Sequence, residues 1–172
     1  MSNDHLPNDH LPNDQLPNDQ LPDDRLPDDL GEVTITRIYE APRDLVWLCM
    51  TTPEHLTHFW GPPGMSTPVD DIVIELRAGG RFETTMVNDA TGERYPNAGA
   101  YVEIDAPSRL VWSETGLAEG MVNTVTFTDL GNDRTEVVIH QTNVPAMFRS
   151  PEALEGFNAS LDRFVAYLAT LV

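Results

Sequence analysis

An α+β fold, with a curved antiparallel sheet of about seven strands wrapped around a long C-terminal helix, follows from three features of the sequence. Short runs of alternating apolar and polar residues are separated by turn chemistry from about residue 69 to residue 142. Two short helical stretches follow the first such run. An apolar stripe of helical period closes the chain.

The first strand is read from Val33, Ile35 and the alternation through Tyr39. Ala41-Pro42 then opens a helix to about Thr51, with proline early, where its missing N–H is harmless. Thr52-Pro53-Glu54 starts a second helix ending near Trp60. Gly61-Pro62-Pro63-Gly64 turns the chain, and strands are expected over 69–76, 81–88, 94–105, 108–115, 121–129 and 134–142. Gly79-Gly80, the segment 88–92, Asp105-Ala106-Pro107-Ser108, the segment 116–120 and Gly131-Asn132-Asp133 supply the turns between them. Ser150 reads as an N-cap with Pro151 at the first helical position, although the acidic residue of a capping box is missing at Ala153. Phe157, Leu161, Phe164, Leu168 and Leu171 recur every three or four residues, so one long helix must lie against the sheet.

Residues 3–30 are different in kind. They repeat NDHLP, NDHLP, NDQLP, NDQLP, DDRLP, DDL, with eight Asp against one Arg and no aromatic residue. One leucine per repeat offers too little apolar surface to offset chain entropy, and the recurrent proline disfavours helix. Residues 1–31 are therefore expected to be a disordered acidic tail and 32–172 one folded domain; His5 and His10 would be the ligands if the tail held a metal.

Composition excludes several functions. A net charge of −18 opposes nucleic acid, which is bound through clustered cations, and an anionic membrane surface for the same reason. All ten basic residues are arginine, so no Schiff-base lysine exists. The lone Cys49 cannot form an internal disulfide, no N-terminal stretch has the form of a standard signal, and no apolar run nears the ~20 residues of a membrane helix. A cytoplasmic protein is expected.

The motifs narrow the fold further. Glu40-Ala41-Pro42-Arg43-Asp44-Leu45-Val46-Trp47, Phe59-Trp60-Gly61-Pro62, Arg77-Ala78-Gly79-Gly80-Arg81-Phe82, Tyr95-Pro96-Asn97-Ala98-Gly99, Pro107-Ser108-Arg109-Leu110-Val111-Trp112 and Ser160-Leu161-Asp162-Arg163-Phe164 occur in that order. Together with the element order they resemble the helix-grip fold of the START-like, birch-pollen-allergen-like (SRPBCC) superfamily. Within it they resemble the bacterial family related to the C-terminal domain of the heat-shock-protein-90 ATPase activator. The resemblance covers about residues 33–172 and implies a concave cavity between sheet and long helix where an apolar ligand sits. It implies no catalytic residue and no cofactor. Eukaryotic activators carry a further N-terminal domain where this chain has its repeat, which weakens the expectation of a chaperone partner.

Cavity-lining candidates are Trp60, Phe82, Met86, Tyr101, Trp112, Phe127, Gln141 and Phe157. Trp60 can close one end and stack on a flat ligand. Phe82 and Met86 share one face of their strand with Thr84, a face that reads first as core filling and second as a pocket wall. Gln141 falls on the side of Thr135, Val137 and Ile139, where a buried amide must find partners, while His140 points outward.

Glu114 and Tyr101 offer an acid and a base, though each reads first as an ordinary strand residue. His55 and His58 share a helix face but lack the third ligand of a zinc site, Cys49 reads as a small buried hydrophobe, and Arg77 and Arg81 read as surface ion pairs. The leading expectation is an apolar small-molecule binder. A polyketide cyclase- or dehydratase-like enzyme and a co-chaperone-like module are the alternatives, and a homodimer is left open.

Overall fold

The computed structural model describes residues 29–172; the repeat, with His5 and His10, lies outside the described residues. The described chain runs β1 (Gly31–Tyr39), α1 (Arg43–Thr51), α2 (Pro53–Leu56), β2 (Met65–Ser66), β3 (Val73–Ile74), β4 (Arg81–Asn88), β5 (Arg94–Asp105), β6 (Arg109–Thr115), β7 (Val122–Gly131), β8 (Arg134–Val144) and α3 (Pro151–Leu168). One antiparallel sheet takes the order β1-β8-β7-β6-β5-β4-β2, with β3 also on β4.

The sheet has eight strands rather than about seven, because β2 and β3 are two-residue pairings at the β4 edge. A continuous strand over 69–76 does not form. The backbone N–H of Asp71 donates to the Pro68 carbonyl and that of Ile72 to the Val69 carbonyl, winding Val69–Asp71 into a 3-10 turn before β3.

The long helix forms where its stripe and cap predict it. Ser150 Oγ accepts from the Ala153 backbone N–H at 3.1 Å, satisfying one of the helix's free donors. Leu161, Phe164 and Leu168 are buried, Phe157 is half-buried, and Leu171 lies exposed beyond the helix end. Phe164 stacks on Phe59 with ring centroids 4.0 Å apart and meets Tyr39 at 4.8 Å. Arg37 of β1 holds the same helix, donating to Asn158 Oδ1 at 3.0 Å and pairing with Asp162 at 3.1 Å.

Alternation carries one face of every long strand into the interior. Phe82, Tyr101, Leu110, Trp112, Val125, Phe127, Val137 and Ile139 join Tyr39, Val46, Trp47, Leu56, Phe59 and the α3 stripe in one core. A second, small cluster of Ala118, Met121 and Val144, with Val33 and Phe148 against it, lies towards the opposite strand ends.

Candidate functional site

A polar row crosses the interior face between those two clusters. On β8 Gln141 lies two residues beyond buried Ile139, on β7 Asn123 lies two beyond buried Val125, and on β6 Glu114 lies two beyond buried Trp112. Asn97 of β5 and Thr84 of β4, directly paired in the sheet, extend it. Register makes the row continuous, since Gln141 pairs with Asn123, which pairs in turn with Trp112, the neighbour on the same face of Glu114. Gln141 Nε2 donates to Asn123 Oδ1 at 2.7 Å, and Asn123 Nδ2 donates to Glu114 Oε1 at 2.9 Å. Trp112 Nε1 donates to the same oxygen at 2.7 Å, and Asn97 Nδ2 donates to Glu114 Oε2 at 2.7 Å.

Glu114 is only 4 % exposed. Burial pushes its carboxyl above the ordinary carboxylate value, against the pull of the three N–H bonds from Trp112, Asn97 and Asn123. Gly99 makes this placement possible. It pairs with Glu114, and a Cβ there would stand 2.6 Å from the Ser113 carbonyl and 3.4 Å from Glu114 Oε2. The forbidding contact is with the β6 backbone, so a glycine here lets β5 and β6 approach this closely beside the carboxylate.

Aromatic rings wall the row. Phe82 touches Trp60 edge-on at 5.5 Å, Trp112 at 5.2 Å and Tyr101 at 5.7 Å between centroids, so these four sequence candidates form one cluster. Burial pushes the Tyr101 phenol up, and no hydrogen bond joins it to Glu114 among the described residues. Met86 lies under the Trp60 loop, its Sδ 3.1 Å from where a Cβ on Gly61 would sit. Gln141 joins the row through Asn123, and Phe157 packs half-buried against the core from the N-terminal half of α3. Phe127 stands apart from the cluster, edge-on to Trp47 at 5.2 Å beneath α1.

Arg163 of α3 pins the loop over this wall. Its guanidinium donates to the carbonyls of Gly61 at 2.7 Å, Met65 at 3.1 Å and His58 at 3.3 Å. Thr67 Oγ1 holds the Trp60 carbonyl at 2.7 Å, so the loop backbone is fixed on both sides while the indole remains half-buried.

The other singled-out side chains serve the framework. His55 Nδ1 lies 2.7 Å from Tyr167 Oη, and the His58 ring stacks on Tyr167 at 4.4 Å, joining the α2 region to α3. Cys49 is fully buried and burial pushes its thiol up to about 11. Arg77 and Arg81 both pair with Glu75 at 3.2 Å. His140 is turned outward beside Glu32, 3.3 Å from its carboxylate. Two surface depressions are present: about 240 Å³ beside Pro42, Arg43 and Asp133, and about 290 Å³ beside Asp70, Glu83 and Pro96, the second also lined by Thr84 and Asn97 of the row.

A curved antiparallel sheet gripping a long terminal helix, with polar groups set into its apolar inner face, defines a helix-grip domain of the START-like class. The chain belongs to the family described as Activator of Hsp90 ATPase homolog 1-like protein, whose match spans residues 40–169. Among solved structures, a protein from Chromobacterium violaceum superposes with a TM-score of 0.71 at 20% identity, over 79% of this chain and 96% of that one. A protein from Mycobacterium smegmatis gives 0.70 at 24% identity, over 84% and 98%. The AHSA1 protein from Silicibacter pomeroyi gives 0.69 at 18%, over 83% and 100%. No curated protein matches the chain. No helix among the described residues is long and apolar enough to cross a membrane.

Sequence reasoning passed over Glu114, Asn123, Asn97 and Thr84 as a set. The signal was present in parity: Glu114 alternates in step with Trp112 and Leu110, and Asn123 with Val125 and Phe127, placing two polar groups on inward faces.

Proposed function

We propose that this chain is a small-molecule-binding module whose ligand is flat and largely apolar and carries a hydrogen-bonding group. The observation that carries the reading is the buried row centred on Glu114, set beside the Trp60, Phe82, Tyr101 and Trp112 rings. A purely structural interior gains little from a carboxylic acid held by three donors, because an apolar residue of similar volume fills such a space at lower desolvation cost. The rings touch one another in this structure, so the ligand takes its place by swinging the Trp60 indole and the flexible Met86 thioether aside. The half-buried residues Leu154 and Phe157 at the N-terminal half of α3 flank that route.

The test is a panel of flat aromatic and lipid-like compounds followed by thermal shift and tryptophan fluorescence. Binding to the folded state raises the melting temperature, and a ligand beside Trp60 or Trp112 alters emission. A panel that moves neither signal removes the proposal's support.

One observation favours a second reading, acid–base catalysis in the manner of a cyclase or dehydratase: the Glu114 carboxyl, held by burial above the ordinary carboxylate value beside the ring cluster. On that reading Glu114→Gln abolishes turnover of a bound compound while leaving its binding largely intact. Equal turnover by both proteins excludes it.

A further inference from the structure

The row is not evenly satisfied along its length. Glu114 Oε1 accepts two N–H bonds, from Trp112 and Asn123, whereas Oε2 accepts one, from Asn97. Asn97 uses its amide N–H on Glu114, and its carbonyl oxygen accepts from no described residue. Beyond Asn97, Thr84 is 2 % exposed and its hydroxyl has no hydrogen-bond partner among the described residues. A buried hydroxyl in that state costs stability, and a valine of the same shape would not. Among the described residues two other buried side-chain atoms are unpartnered, Tyr39 Oη against Phe164 and Arg43 Nε at the start of α1, but neither belongs to the row.

Thr84 also stands between two residues that the Trp60 loop touches. Its neighbours on the same face of β4 are Phe82, touched by the Trp60 ring, and Met86, over which Gly61 passes. The pinned loop therefore passes along the face of β4 on which Thr84 stands. Three oxygens with unused capacity, Thr84 Oγ1, Asn97 Oδ1 and Glu114 Oε2, belong to this end of the row. Among the described residues no arginine bonds to any member of the row, and the chain has no lysine.

We propose that the Thr84, Asn97 and Glu114 end of the row selects ligands that donate hydrogen bonds, namely flat phenols, enols or aromatic amines, and rejects carboxylate-bearing ligands such as fatty acids. This rests on the small-molecule reading given above. The physical ground is a local excess of acceptors without a counter-charge: a donor completes them, while a carboxylate would sit beside Glu114 with both groups desolvated. A hydrogen-bonding pocket discriminates strongly against a ligand lacking the matching group.

Isothermal titration of the full chain at pH 7 with naphthol, naphthylamine, naphthalene and naphthoate tests the selection on one ring system. Naphthol and naphthylamine bind about tenfold or more tighter than naphthalene, and naphthoate binds most weakly. Thr84→Val removes about tenfold of the naphthol advantage, leaves naphthalene unchanged, and melts at the same temperature as the parent or higher, because the unpaired hydroxyl is gone. Naphthoate binding as tightly as naphthol overturns the selection, as does a Thr84→Val protein that keeps the full preference; either result leaves the small-molecule reading standing. Failure of all four compounds to bind sinks that underlying reading and the selection with it.

Discussion

The two ends of the interior are built on opposite terms. At one end the C-terminal half of α3 presses Leu161, Phe164 and Leu168 into Tyr39, Phe59 and Leu56, every residue buried and nearly all of the contact apolar. At the other end the half-buried N-terminal half of α3 lies over strands that carry Gln141, Asn123, Glu114, Asn97 and Thr84 inward. The same sheet supports both, with a change of two residues along each strand separating core from row. Stability is concentrated at the packed end, and the polar end carries groups whose burial costs free energy.

Substitution separates the ends most sharply at Phe164. Phe164→Ala removes a fully buried ring that touches Tyr39 and Phe59, and is expected to cost about 3–5 kcal/mol in denaturant unfolding. A loss below 1 kcal/mol would mean that the packed end is not where stability resides.

Arg163→Met ranks next. It keeps the aliphatic stem but leaves the Gly61, Met65 and His58 carbonyls without their charged donor, at an expected cost of about 1.5–3 kcal/mol. The readout specific to this residue is faster amide exchange through residues 58–66 with α3 protection unchanged. Uniformly faster exchange would assign Arg163 to global stability instead of the loop.

The Glu114 carboxyl gives the polar end a pH signature of its own. Its folded value is raised, so between the ordinary carboxylate value and that raised value the folded state holds more protons than the unfolded state. Its contribution to stability is therefore fullest below the ordinary value and declines as pH rises through the folded one. Glu114→Gln should flatten this component in urea titrations across that window, and an identical slope in parent and variant would refute the assignment. Smallest in energy is a chemical test at Cys49, whose thiol is pushed up to about 11 by burial. Iodoacetamide at pH 8 should modify it only at the rate of unfolding, whereas rapid labelling of native protein would show that the packed end opens.

The sequence made the packed end legible and left much of the polar end unread, for a physical reason. Helical period and the Ser150 cap define α3 by local rules, and alternation with glycine turns defines β4 to β8. Asp70 and Asp71 break the alternation that suggested a strand from residue 69, and the 3-10 turn forms there. The row depends on register. Parity shows that Glu114 points inward, but only the pairing of β5 with β6 brings Gly99 opposite it and lets Asn97 reach its carboxylate. Three of the predicted aromatic candidates, Trp60, Tyr101 and Trp112, meet around a fourth, Phe82, while Phe127 lies further along β7 against Trp47 of α1.

The start of β1 has its own consequence for experiment. Gly31 pairs with Val144, Arg149 donates to the Val144 carbonyl and grips Asp29 at 3.0 Å, and a Cβ on Gly31 would strike the Arg149 side chain at 2.7 Å. That clasp sits at the threshold of α3, on the side of the row, whereas Val172 leaves from the far end of the same helix. A fluorophore at residue 29 and another at residue 172 would thus act as separate reporters, the first of the polar end and the second of the packed end.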